Sequence, residues 1–105
     1  SRRETSGGRL PPPAGAPRRP WPLRMTDVDV LGHVNNAAYW HAVEHSLAGA
    51  GRDLRSPLRA LLDYRHPIDF GDEVELAEVS DGERYTIAFV ASDVVKAVSC
   101  VEQLT

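Results

Sequence analysis

One cysteine, Cys100, is all that 105 residues provide. A lone thiol excludes an internal disulfide framework and fits a reducing compartment, so a cytoplasmic location is expected. No apolar run approaches the length of a membrane span, and no apolar h-region follows the N-terminus, so no membrane association is expected. A basic stripe is also missing. Ser1–Pro20 carries five arginines against one acid, whereas the remainder carries seven basic and fourteen acidic side chains. An acidic fold without interleaved aromatic and basic residues is a poor partner for nucleic acid.

What remains fits a single domain preceded by a tail. Ser1–Pro20 holds Gly-Gly, Pro-Pro-Pro and Arg-Arg-Pro with Leu10 as its only large apolar residue, which reads as a solvated linker. Contact of this basic tail with an acidic carrier protein is a weaker reading. Residues 21–105 then form the folded unit. A unit of that size buries a modest fraction of its surface, so an oligomer or a neighbouring domain is expected. The chain begins with serine, which suggests a fragment or a processed product.

Trp21–Met25 reads as a short strand and Thr26–His33 as a polar loop in which Gly32 permits an unusual backbone angle. Helical spacing follows: Tyr39, Val43 and Leu47 share one stripe, with Trp40 and Ala48 beside it. Asn35 or Asn36 caps this helix, which runs from about Asn36 to Ala48 and stops at the glycines Gly49 and Gly51. Beyond Arg59 the pattern is β: Ala60–Asp69, Val74–Val79, Tyr85–Ala91 and Val94–Leu104, joined by short turns. The economical architecture is α+β, an antiparallel meander over a single helix.

Chemical groups concentrate between Asp27 and Glu44. A carboxylate beside the backbone N–H groups of a helix start supplies two parts of acyl transfer or hydrolysis. Asp29 reads either as a helix-capping carboxylate or as a base, and Asp27 as a loop residue paired with Arg24. Asn35 and Asn36 read first as cap and loop-fixing residues, with substrate contact as a second role. Glu44 reads as an ion-pair partner, Cys100 as a buried thiol, and His66 and Pro67 as a channel lining or an irregular edge. His41-x-x-Glu44-His45 spells the inverted zinc-protease signature. No second ligand-bearing helix is expected downstream, so neither a metal nor another cofactor is assigned.

Asp27-x-Asp29-x-x-Gly32-His33-Val34-Asn35-Asn36-x-x-Tyr39, followed by Tyr64-x-x-Pro67-x-x-x-Gly71-Asp72-x-Val74, resembles the hotdog-fold thioesterase superfamily. The resemblance covers Trp21 to the C-terminus. Gly-His-Val-Asn-Asn is most similar to acyl-acyl-carrier-protein thioesterases and to 4-hydroxybenzoyl-coenzyme A thioesterase-type proteins. The resemblance implies a central helix wrapped by a curved antiparallel sheet and hydrolysis of an acyl thioester on carrier protein or coenzyme A. It further implies Asp29 as base or nucleophile, His33 as its catalytic partner, and Gly32, Val34, Asn35 and Asn36 around the substrate. The first group fuses two hotdogs in one chain, so this sequence resembles the second half. The alternative is a homodimer.

Two departures stand out: Leu31 occupies the position of an asparagine in plant-type enzymes, and Pro67-Ile68 that of a Glu-Cys pair. A non-catalytic hotdog that binds an acyl group or a partner subunit is therefore the competing class. Dehydratase chemistry fits the Gly-His-Val-Asn-Asn spelling poorly.

Overall fold

The computed structural model describes residues 2–5, 10–13, 15–23, 33–51 and 58–103. In chain order the elements are β1 (Arg2–Thr5), β2 (Arg18–Trp21), α1 (Asn36–Gly49), β3 (Leu58–Tyr64), β4 (Val74–Asp81), β5 (Arg84–Ala91) and β6 (Val94–Gln103). They form one sheet in the order β1-β3-β6-β5-β4-β2. Five strands run antiparallel to their neighbours, and β1 joins the β3 edge in parallel.

The hairpins follow from local chemistry. Between β5 and β6, Ser92 and Asp93 both have positive φ, 51° and 59°, as a two-residue turn matched to strand twist requires. Between β4 and β5 the left-handed position falls on Gly82, where no Cβ opposes it. A bulge between Phe89 and Val90 shifts the β5–β6 register, and such a bulge bends the strand. This bending helps the sheet to wrap α1.

Helix α1 begins with Asn35, whose side-chain oxygen accepts from the Ala38 N–H at 3.0 Å. It ends where the Ala50 N–H returns to Ser46 and Gly51 turns left-handed at φ 76°. Ala38, Tyr39, Trp40, Ala42, Val43 and Leu47 are buried against Leu62, Leu76, Ile87, Phe89 and Val101. Ala48, expected beside the apolar stripe, is exposed with Ala37, His41 and His45. Tyr39 is the centre of an aromatic cluster, with ring centroids 5.1 Å from Phe89, 5.2 Å from Tyr64 and 6.2 Å from Trp21.

The N-terminal stretch read as a linker contributes to the sheet. Its Arg2–Thr5 pairs with β3, and Arg18–Trp21 pairs with β4; of the strand expected at Trp21–Met25 only Trp21 is in β2, Pro22 and Leu23 follow it outside any strand, and Arg24 and Met25 lie outside the described residues. Leu10 and Ala16 pack on a second apolar cluster, Ala77, Ala88, Val90 and Val98, on the sheet face opposite α1. Arg18 reaches Asp93 at 2.9 Å. Arg19 reaches Glu78 and Ser46, each at 2.6 Å, and Tyr85 also donates to Glu78. A proline-rich segment can join in this way because the sheet edges supply the hydrogen bonds that it cannot make alone. No helix among the described residues is long and apolar enough to cross a membrane.

Two measurements test these assignments. Replacing Asn35 by Ala leaves the Ala38 N–H without its cap, so the protein should lose about 1 kcal/mol in denaturant unfolding, with recovery in Asn35→Asp. Burial raises the Tyr39 phenol, reinforced by Tyr64, and burial likewise raises Tyr64. The neutral phenol is thus favoured in the folded state. Its stabilisation is complete below the ordinary tyrosine pKa of ~10 and is lost as pH rises from there towards the folded value. Stability should hold through pH ~9 and decline above ~10, with a shallower decline in Tyr39→Phe, as read by tyrosinate absorbance and unfolding together.

Candidate functional site

The strand expected to continue to Asp69 stops at Tyr64. There the Arg65 and His66 N–H groups both donate to the Lys96 carbonyl, at 2.9 and 3.0 Å, and Pro67 has no N–H to extend the ladder. The chain then meets the segment entering α1. Val34 donates its N–H to the Ile68 carbonyl at 2.7 Å, and His33 forms an isolated antiparallel bridge with Asp69. The helix start is therefore stitched to the loop after β3 across more than thirty residues of sequence.

Side chains reinforce this stitch. His33 Nε2 lies 3.4 Å from Asp69 Oδ1, an ion pair when the imidazole is protonated. Asp69 is held in turn, because its N–H donates to Asp72 Oδ2 and its carbonyl accepts from the Asp72 N–H, both at 3.0 Å. Gly71 and Asp72 of the second motif thus belong to the turn that presents Asp69 to His33. Ile68 is fully buried and fixes that turn to the core.

A cavity of about 350 Å³ opens at this junction, with His33, Val34, Tyr39, Tyr64, His66 and Pro67 among its walls. His66 and Pro67 line the same space as His33 and also follow the irregular end of β3. The positive end of the α1 dipole faces the Asn35 side of the junction, where an anion or a developing negative charge is stabilised. Burial raises the Tyr39 and Tyr64 phenols above the ordinary tyrosine range, and both rings stand in the cavity wall.

Of the residues singled out from sequence, His33, Val34 and Asn35 come together at the mouth of α1, and Asn36 is its first residue. The Val34 N–H is committed to Ile68, which removes it as a donor to a ligand. Asp29 and Gly32 lie outside the described residues, as do Arg24, Asp27 and Leu31. Asp69 was not a candidate from sequence. There it was only the last residue of the strand expected at Ala60–Asp69, ahead of the Gly71-Asp72 turn, and nothing local points across the chain to His33. Glu44 is half-buried on α1. His41 and His45 stand exposed one turn apart, and among the described residues no three metal-ligating side chains converge. Cys100 is buried, as expected, and burial raises its thiol pKa.

Known proteins resemble this chain in sequence and in fold. The family model of the acyl-ACP thioesterase C-terminal domain matches residues 14–100. Two uncharacterized proteins from strains of Mycobacterium tuberculosis are 38% identical over 85 residues, covering 81% of this chain and 34% of their own length. The chain thus spans about a third of those relatives. Among solved structures, a thioesterase from Thermus thermophilus complexed with coenzyme A and zinc is 28% identical, with TM-score 0.65 over 87% of this chain and 86% of its own. An acyl-ACP thioesterase from Bacteroides thetaiotaomicron superposes with TM-score 0.73 at 18% identity, over 92% of this chain and 41% of its own. The 12:0-ACP thioesterase from Umbellularia californica gives TM-score 0.68, also at 18% identity, over 92% of this chain and 38% of its own. These likenesses establish the hotdog fold, a helix packed on an antiparallel sheet. With a family model matched over most of its length, the chain belongs to the acyl-ACP thioesterase C-terminal domain family, within the hotdog thioesterase superfamily.

Proposed function

We propose that this chain forms a catalytic hotdog unit of a thioesterase that hydrolyses an acyl thioester carried by acyl carrier protein or coenzyme A. The observation that carries the reading is the His33 cavity at the N-terminus of α1, in a chain of this family. A thioester carbonyl needs a directed nucleophile and a donor for the charge that forms on its oxygen. In the proposed reaction Asp29 removes a proton from water, which adds to the carbonyl carbon; direct attack by the carboxylate is the variant. The tetrahedral intermediate then expels the thiolate, and His33 delivers the proton that the sulfur requires. With the Val34 N–H already used, the oxyanion is assigned to the amides of Gly32 and of the first turn of α1, with Asn35 and Asn36 shaping that end of the site. Asp69, 3.4 Å from its Nε2, orients the His33 imidazole. The unit pairs with a second hotdog, either fused in the same chain or contributed by another copy.

A second reading is supported by a specific observation. The positions that correspond to a Glu-Cys pair hold Pro67, in the cavity wall, and Ile68, wholly buried, so neither offers a titratable group. A non-catalytic hotdog that binds the acyl group follows from that loss.

Thiol release from a panel of acyl-carrier-protein and coenzyme A thioesters, measured on the full encoded protein, separates the two. Asp29→Ala should lower kcat/KM by roughly 10²–10⁴-fold and His33→Ala by about tenfold or more. Turnover that survives Asp29→Ala intact sinks the mechanism. Acyl-thioester binding without any thiol release favours the binding unit.

A further inference from the structure

We propose that the N-terminal segment around Leu10 is a strap, clamped by Asp63 and Arg65, that sets the wall of the His33 cavity. The cavity's role rests on the reading above, whereas the strap itself does not. The Leu10 main chain is held on both sides: its N–H donates to Asp63 Oδ2 at 3.0 Å, and its carbonyl accepts from Arg65 Nη2. Arg65 Nε also donates to Asp63 Oδ2, at 3.1 Å. Both partners are sheltered, with side-chain exposures of 8% for Asp63 and 12% for Arg65.

A sheltered ion pair is a poor source of stability unless its remaining donors and acceptors are satisfied. Here the main chain of Leu10, fifty-odd residues away, takes up one further contact on each partner, at Asp63 Oδ2 and Arg65 Nη2. Asp63 projects from β3 to the sheet face opposite α1, while Leu62 and Tyr64 face the helix side, and Arg65, just past the strand end, reaches Asp63 with its guanidinium. On that outer face Leu10 and Ala16 cover Ala77, Ala88, Val90 and Val98, so the strap has an apolar seat as well as a polar clamp.

Arg65 is the joint between strap and cavity. It belongs to the Tyr64–Pro67 stretch that lines the cavity, and its N–H is tied to Lys96. With its guanidinium drawn outward to Leu10 and Asp63, the neighbours Tyr64 and His66 are held at the cavity. Release of the strap leaves Asp63 and Arg65 with unsatisfied groups, and the wall repacks around them.

Amide hydrogen exchange on the full encoded protein tests the strap, and thioester kinetics test its coupling. The Leu10 amide should exchange about tenfold or more slowly than in an unstructured chain, as for a hydrogen bond to a charged group. Asp63→Ala should abolish that protection while the Val43 amide in α1 keeps its own. Leu10→Pro removes the donor and trims the strap's own apolar contact, while leaving the main core between α1 and the sheet intact, so it covers the case in which Asp63→Ala fails to fold. Each variant should raise KM several-fold with kcat within about twofold, and the double variant should be no worse than either alone. An unprotected Leu10 amide in the parent protein overturns the strap. Unchanged KM in both variants overturns the coupling. Absence of thiol release in the parent counts against the functional reading, and Leu10 exchange then decides the strap alone.

Discussion

Tyr39 projects from the first turns of α1 into a space bounded by Phe89 of β5, Trp21 of β2 and Tyr64 of β3, and the rest of the domain is arranged around that contact. Three strands distant in sequence must converge on one ring, which commits the sheet to curve over the helix. Aromatic pairs at such separations add to simple area burial because their edges and faces are complementary. The same packing leaves the helix mouth at the rim of the sheet. Its N-terminal charge is thereby available to a cavity, while its apolar face is sealed against the sheet.

The site is thus a consequence of how the core closes. Pro67 ends the β3 ladder, the following turn swings across the helix entrance, and the Val34–Ile68 hydrogen bond and His33–Asp69 pair lock the two segments together. A histidine at a loop would otherwise sample many positions, and freezing it is costly in conformational entropy. Here a two-point backbone bridge holds the backbone, and Asp69, itself braced by Asp72, holds the ring. Tyr64, which borders both the aromatic cluster and the cavity, joins fold and site in one residue.

The outer face of the sheet follows a similar economy. Ala88, Val90 and Val98 would form an exposed apolar patch on a small domain, and Leu10 and Ala16 cover part of it. Arg18 and Arg19, which look like part of a solvated basic tail, are engaged by Asp93, Glu75 and Glu78. Arg19 in particular connects β2 to both the helix, through Ser46, and the sheet, through Glu78.

Local chemistry was enough to read α1 and the three long strands. The spacing of Tyr39, Val43 and Leu47, the Asn35 cap, the glycines after Ala48 and the turn residues at Gly82 and Ser92-Asp93 each act within a few residues of themselves. His33 was legible as a candidate for the same reason, since it sits in a dense polar run before a helix. Three features depended on tertiary structure. β1 and β2 exist because sheet edges accept a segment whose composition favours no strand, the β3 edge ends where Lys96 captures two N–H groups, and Asp69 meets His33 only after the chain has closed. Each rests on hydrogen bonds between residues far apart in the sequence, and side-chain pattern alone carries no record of which distant carbonyl or carboxylate will be the partner.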